Sequence, residues 1–278
     1  MASETNNRPT IDQVREYWDS HPLLSYELRD VGSKSFFENF DRCKRHDVER
    51  FSFGFWEFPV FAGKSVLDVG CGPGWITVMY AKGGADVTAV DLTPAAVALT
   101  STHLEQLGLS AIVREANAEE LPFPDNSFDL VVSSGVLHHT PNYRRAISEC
   151  LRVLRPGGKA KLTFYRKGVL HHPLIWPLTR TIMRLAGVKH PGANLASTST
   201  DVDDFIRQYD GESNPVGIGM PNRQWVKLLE EIGFKVIDWE NHYFPVRFLP
   251  FAGRVPKSLH RLLDSWFGSM IYCRLTKP

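Results

Sequence analysis

The residues best placed to do chemistry lie in one run, Val66-Leu67-Asp68-Val69-Gly70-Cys71-Gly72-Pro73-Gly74, where an apolar stretch enters a glycine-rich turn. Glycine has no side chain and tolerates positive φ, so such a turn lets a ligand lie close against the backbone. A nucleotide-like cofactor is implied. On the loop alone two readings compete, because dinucleotide enzymes place G-x-G-x-x-G at the same structural point, with an acidic residue about 20 positions later. Here the third glycine is Gly74, and the place that fingerprint needs is filled by Trp75, too bulky for tight packing beside a pyrophosphate. Asp68, at the mouth of the loop, would repel phosphates but attract the ammonium of a methionine moiety, directly or through water. The charge logic therefore favours S-adenosylmethionine over NAD. Asp91, ending the next apolar run, can accept bonds from both ribose hydroxyls. Its plainer role is to cap the following helix, a place Thr93 already suits.

A second group of candidates could move a proton. His138 and His139 follow the fourth apolar run, and being adjacent they should point in different directions, so one at most faces a substrate. The sharper expectation is His139; the plainer one is that the imidazoles bond the backbone. Tyr17 and Tyr26 could reach an acceptor from the N-terminal region, against ordinary aromatic packing with wet hydroxyls. Arg42, Lys44, Arg45 and His46 could hold an anionic group or form a solvated helix face. No metal is expected, since His138, His139, His171 and His172 lack helical ligand spacing and no cysteine accompanies them.

The elements that must position these residues follow from periodicity. Between residues 62 and 165, β-branched runs at 65–69, 86–90, 111–115, 128–133 and 159–164 alternate with helical patterns at 75–82, 94–107 and 142–154, the mark of β-α units and a parallel sheet. Arg155-Pro156-Gly157-Gly158 is expected to stop the third helix. Residues 1–61 read as a helical, aromatic cover, with helices near 13–19 and 36–50 and nine aromatic rings between Phe36 and Phe61 that either pack on the core or line a pocket. Residues 166–219 lose the rhythm and read as an inserted lid. Its amphipathic piece at 174–185, with the apolar 243–251, would suit an aromatic or lipid-like substrate, although core packing is the plainer reading. The rhythm resumes in 220–278 with a helix at 222–231 and strands at 235–239 and 270–275, the last closing the sheet.

These features resemble the Rossmann-like, class I S-adenosylmethionine-dependent methyltransferases, in particular the small-molecule branch with the ubiquinone and menaquinone C-methyltransferases. The resemblance rests on VLDVGCGPG, on Asp91, on ANAEELPFPDNSFDLVVSSGVLHH at 116–139 and on LRVLRPGG at 151–158; DGESNP at 210–215 and RQWVKLLEEIGF at 223–234 also look like parts of related enzymes. It implies an α/β fold with a doubly wound, mostly parallel seven-stranded sheet. It further implies a cofactor lying across the strand ends against Asp68, Gly70, Cys71, Gly72, Gly74, Asp91 and Leu92, with Asn117 and Ala118 beside the adenine and Ser133 and Ser134 near the methionine portion. Asn117 stands where the family usually has Asp, exchanging a pure acceptor for a group that also donates.

The activity so implied is in-line methyl transfer to an O, N, S or C nucleophile of a small molecule. The competing readings are a dinucleotide oxidoreductase, which Trp75 and Asp68 oppose, and a catalytically silent S-adenosylmethionine-binding or scaffold protein. With 32 basic and 31 acidic residues among 278, a net charge of +1 provides no general field for nucleic acid or an anionic membrane. Four dispersed cysteines signal neither a zinc site nor a disulfide framework. The polar N-terminus and the lack of a spanning apolar run lead us to expect a soluble, cytoplasmic protein without stable membrane insertion.

Overall fold

The computed structural model describes residues 9–23, 29–46, 49–185, 201–211, 213–244 and 254–278. In chain order the elements are α1 (Ile11–Ser20), α2 (Lys34–His46), α3 (Phe53–Trp56), β1 (Ser65–Val69), α4 (Trp75–Lys82), β2 (Asp86–Asp91), α5 (Pro94–Gln106), β3 (Ile112–Glu115), β4 (Phe128–Ser133), α6 (Tyr143–Val153) and β5 (Leu154–Arg166). There follow α7 (Trp176–Leu185), α8 (Val202–Arg207), β6 (Gly219–Met220), α9 (Asn222–Ile232), β7 (Lys235–His242), α10 (Lys257–Phe267) and β8 (Met270–Thr276). The main sheet runs β3-β2-β1-β4-β5-β8-β7, with the two-residue β6 pairing beside β5. The first five strands are parallel, whereas β8 is antiparallel to both β5 and β7. This is a mostly parallel α/β sheet of seven principal strands.

Both faces are covered, as continuous apolar strands require. Leu67, Val69 and Val131 face the side packed by α6 and α9, while Val66, Leu130 and Val132 face the aromatic residues that precede β1. Phe36, Phe55, Trp56, Phe58 and Phe61 are buried, so most of the aromatic run packs as core, and Phe40 alone among the nine borders the cleft formed by the glycine turn after β1. Lys161 of β5 fastens this layer to the sheet: its buried ammonium donates to the Trp56 carbonyl and, at 2.8 Å, to Glu57. Burial, the largest influence, pulls that ammonium down to about 8 despite the partnering carboxylate.

Three expectations need correction. The third helix ends at Val153, ahead of Arg155 to Gly158 as expected, but the strand does not wait for residue 159: β5 begins at Leu154, paired with Phe128, and the next pair, Leu130 with Lys159, leaves these four residues as a bulge. The final strand lies inside the sheet, because Met270, Ile271, Tyr272, Cys273 and Leu275 are all buried, whereas β7 exposes Ile237 and Trp239 as the edge. In α7 the buried face is Trp176 and Thr179, while Leu178, Ile182 and Leu185, and Leu174 just before the helix, are 60, 57, 82 and 86% exposed, so core packing does not account for this apolar stripe. Residues 245–251, expected to accompany it, lie outside the described residues. No helix among the described residues is long and apolar enough to cross a membrane.

One contact makes stability depend on pH. His242 at the end of β7 meets Asp264 of α10 through Nδ1, 2.6 Å away, with Glu240 3.5 Å from Nε2. Burial lowers the imidazole, but bonding and attraction from Asp264 and Glu240 together outweigh it and lift it to about 9 from 6.5. A raised folded-state value means the stabilisation, roughly 3 kcal/mol, is complete below about pH 6.5, declines as pH rises and is gone above about 9. Urea titrations from pH 6 to 10 should show wild type losing that margin relative to His242→Gln; parallel curves for the two proteins would refute it.

Candidate active site

In an open α/β sheet, the point where strand order reverses leaves a crevice beyond the carboxyl ends of the strands. Here β1 pairs with β2 on one side and β4 on the other, and a cleft open to solvent lies beyond their ends. Its floor is the turn after β1. The Gly70 and Cys71 amides donate to the Val90 carbonyl at 2.7 and 3.0 Å, stitching the turn to β2. Gly70 adopts φ +80°, and a Cβ there would stand 2.3 Å from Val136, so this glycine admits the loop after β4 rather than a ligand. Gly72, at φ +51°, has open space where its side chain would be. Gly74 is turned from the cleft, with Thr100 of α5 2.9 Å from a notional Cβ.

Two carboxylates edge the floor. Asp68 is buried and accepts a 2.6 Å bond from the Thr77 hydroxyl; burial and then repulsion from Asp91 hold its carboxyl up at about 7, against the lowering effect of Thr77. Asp91 accepts from the Gly72 amide at 3.0 Å and from the Thr93 amide and hydroxyl, each at 3.1 Å. Thr93 in turn accepts from the Ala96 amide, so Asp91 braces the residue that caps α5, and the structural role set aside for it is present. Burial also raises the Asp91 carboxyl, more than these donors lower it.

The far wall comes from segments distant in sequence. Trp18 of α1, Phe40 and Lys44 of α2, Val136 and His139 after β4, and Asp210 after α8 all border the cleft. Lys44 forms an ion pair with the buried Glu49. His139, 3% exposed, has Nδ1 2.6 Å from the Val216 carbonyl, which makes Nδ1 the donor and turns Nε2 toward Asp210, whose Oδ2 is 3.3 Å away. The Tyr165 hydroxyl donates to that same oxygen.

Of the residues expected at a cofactor, Asp68, Gly70, Cys71, Gly72, Asp91 and Ser134 border the cleft. Gly74, Leu92, Asn117, Ala118 and Ser133 do not. The Asn117 side chain accepts from the Glu119 amide in its own turn, and Ser133 donates to the Val69 carbonyl in the core. Among the expected catalytic groups, His139 is on the wall. His138 is fully buried, its ring 4.1 Å from that of Tyr165, and burial followed by the neighbouring His139 drives it well below the usual imidazole range. Tyr17 is also off the wall: its hydroxyl donates to the main-chain oxygen of Asp210 at 2.8 Å, and burial with the nearby Asp210 pushes it up to about 12. Tyr26 lies outside the described residues. Trp18, Tyr165 and Asp210 were not anticipated individually, although Asp210 opens the DGESNP stretch.

Residues 67–162 match the family model described as a methyltransferase domain. An uncharacterized protein of Mycobacterium tuberculosis is 43% identical over 96 residues, 34% of this chain and 35% of that one. A ubiquinone biosynthesis O-methyltransferase of Alkalilimnicola ehrlichii is 29% identical over 154 residues, 54% of this chain and 61% of that enzyme. Over residues 67–162, then, this chain is similar to a methyltransferase domain. The match spans only about a third of the mycobacterial relative's length. Among solved structures, the crystal structure of the 4+2 cyclase SpnF aligns with TM-score 0.55 at 20% identity, covering 97% of each chain. A putative methyltransferase of Haloferax volcanii, solved in complex with a methyltransferase activator, aligns with TM-score 0.59 at 14% identity, covering 95% of this chain and 97% of that one. At such identities the likeness shows the fold alone.

The cleft fits S-adenosylmethionine on its own chemistry. Asp68 and Asp91 edge the glycine turn, and Lys44, the lysine bordering it, is already paired with Glu49, so a pyrophosphate meets repulsion where an ammonium and two ribose hydroxyls meet acceptors.

Proposed function

We propose that this chain is an S-adenosylmethionine-dependent methyltransferase acting on a small molecule. The observation that carries the reading is a single cleft with an acidic glycine turn on one side and His139, beside Trp18 and Asp210, on the other. Bound in it, S-adenosylmethionine supplies a methyl group on an already activated leaving group, so proximity and orientation account for most of the acceleration. The chain's own residues would divide the work. Asp68 draws the ammonium, Asp91 accepts from the ribose, and the apolar Trp18, Phe40 and Val136 exclude water. His139 takes a proton when the acceptor must lose one. In this reading the segment before β1 is a cover and that between β5 and β6 a lid, since Trp18, Phe40 and Lys44 come from the first and Asp210 from the second.

Calorimetry with S-adenosylmethionine, S-adenosylhomocysteine and NAD tests the cofactor, and incubation of the labelled methyl donor with a metabolite extract, read by mass spectrometry, tests turnover. Comparable affinity for NAD would sink the proposal, and cofactor binding without any methylated product would favour the silent binding protein.

Asp68 makes binding depend on pH. Held up at about 7, its carboxyl is largely protonated at about pH 6, while the incoming ammonium favours the anion. Affinity should therefore tighten as pH rises through about 7, with a proton released to buffer on binding at the lower pH. Calorimetry in buffers of different ionisation enthalpy measures that proton. Proton uptake, or no exchange, would show that Asp68 does not face the cofactor's charge.

A further inference from the structure

Asp210 enters the cleft wall heavily braced. Tyr17 fixes its main-chain oxygen and Tyr165 its carboxylate. The approach of Tyr17 requires the glycine that follows: Gly211 has φ +136°, and a Cβ there would stand 2.2 Å from the Tyr17 hydroxyl oxygen. Both phenols are held far above neutrality by burial and then by Asp210, so they remain donors and keep the carboxylate in place. Opposite it, His139 commits Nδ1 to the Val216 carbonyl, and its buried Nε2 has no hydrogen-bond partner, the carboxylate lying 3.3 Å away without the alignment of a bond. A braced carboxylate beside an imidazole nitrogen held as an acceptor is suited to receive a hydrogen-bond donor from the cleft.

The surroundings narrow the choice of donor. Asp68, Asp91 and Asp210 border the cleft, against one lysine that Glu49 already neutralises. An acidic head would be repelled here, while a neutral or cationic one is accepted. Trp18, whose ring meets that of His139 edge-on at 5.2 Å, provides an apolar flank. We propose that Nε2 of His139 and the carboxylate of Asp210 form an acceptor subsite for a hydroxyl or ammonium head that surrenders a proton, and that this subsite rejects acids. The inference rests on the methyltransferase reading. The acceptor's O–H or N–H bond breaks, and its proton passes to Nε2, where Asp210 faces the new imidazolium charge. The electron pair left behind forms the bond to the methyl carbon, and the former methyl–sulfur pair stays on sulfur. Tyr17 and Tyr165 act as positioning residues for Asp210.

Sinefungin, which carries an amine where S-adenosylmethionine carries its sulfonium methyl, probes the subsite without turnover. In the full chain, sinefungin should bind at least about tenfold more tightly than S-adenosylhomocysteine, because its ammonium gains a charged partner. Asp210→Asn should erase that preference while leaving S-adenosylhomocysteine affinity within about twofold, which also reports that the variant is folded. Should Asp210→Asn not fold, the wild-type preference and its loss in His139→Gln carry the test. An unchanged ratio in folded variants, or no preference in wild type, overturns the subsite. Failure of S-adenosylhomocysteine to bind wild type overturns the cofactor reading instead. The labelled product then separates the two heads: a methyl ether indicates a hydroxyl, a methylamine indicates an ammonium, and a methyl ester overturns the proposal.

Discussion

Replacing His139 with alanine should lower kcat by about 100- to 10,000-fold, the usual contribution of a positioned general base, while cofactor affinity stays within about twofold. The expectation follows from how the ring is held. Nδ1 is occupied by the Val216 carbonyl, so Nε2, the nitrogen beside Asp210, is the acceptor in the neutral ring. Alanine removes that acceptor and leaves the glycine turn, Asp68 and Asp91 untouched. His138→Ala supplies the contrast. Its ring is fully buried against Tyr165 and Phe164, so truncation leaves a cavity costing roughly 2 to 4 kcal/mol of stability, with turnover per folded molecule nearly preserved. Initial rates with the acceptor found by label transfer, paired with urea unfolding, separate the two effects. Should His139→Ala lose stability in proportion to its activity, the ring is a packing element. If neither variant slows turnover, the acceptor is already nucleophilic and proximity alone carries the reaction.

The two halves of the cleft differed in how legible they were. The cofactor half is local: Asp68 through Gly72 are contiguous, and Asp91 ends the strand paired with β1. The acceptor half is assembled at long range, with His139 meeting a carbonyl 77 residues away and Tyr17 meeting one 193 residues away. No spacing rule brings Tyr17, Tyr165 and Asp210 together before the fold is known. The fold shows a similar division. Alternating β-branched runs marked β1 to β4 closely, and continuous burial of β8 explains why an apolar run with little alternation belongs inside the sheet. Helix α10 carried a readable signal that was missed, since Leu259, Leu262, Leu263 and Trp266 recur at helical spacing. The exposed stripe of α7 was not readable, because amphipathicity says that one face is apolar and not which face the core takes.

Gly70→Ala should be the most damaging single-methyl change in the glycine turn, costing roughly 2 to 5 kcal/mol of stability and at least about 100-fold in cofactor affinity. Two costs combine. At φ +80° an L side chain carries a left-handed penalty of about 1 to 2 kcal/mol, and its Cβ would also stand 2.3, 2.4 and 2.7 Å from Cγ2, Cγ1 and Cβ of Val136. The turn cannot yield freely, because the Gly70 and Cys71 amides are tied to the Val90 carbonyl. Relief must therefore come from the loop that carries Val136 and leads to His139, which is why binding suffers along with stability. The clash share can be isolated. Val136→Gly in the Gly70→Ala background removes all three contacts and should recover about 1 to 3 kcal/mol, leaving the φ penalty; Val136→Ala, which keeps the Cβ, should recover less. Gly72→Ala is the matched control, since at φ +51° it bears the conformational penalty but meets nothing within 4 Å. Equal stability losses in Gly70→Ala and Gly72→Ala, with no recovery on removing Val136, would mean that φ alone sets the requirement and that the packing of these two loops does not hold the cleft open.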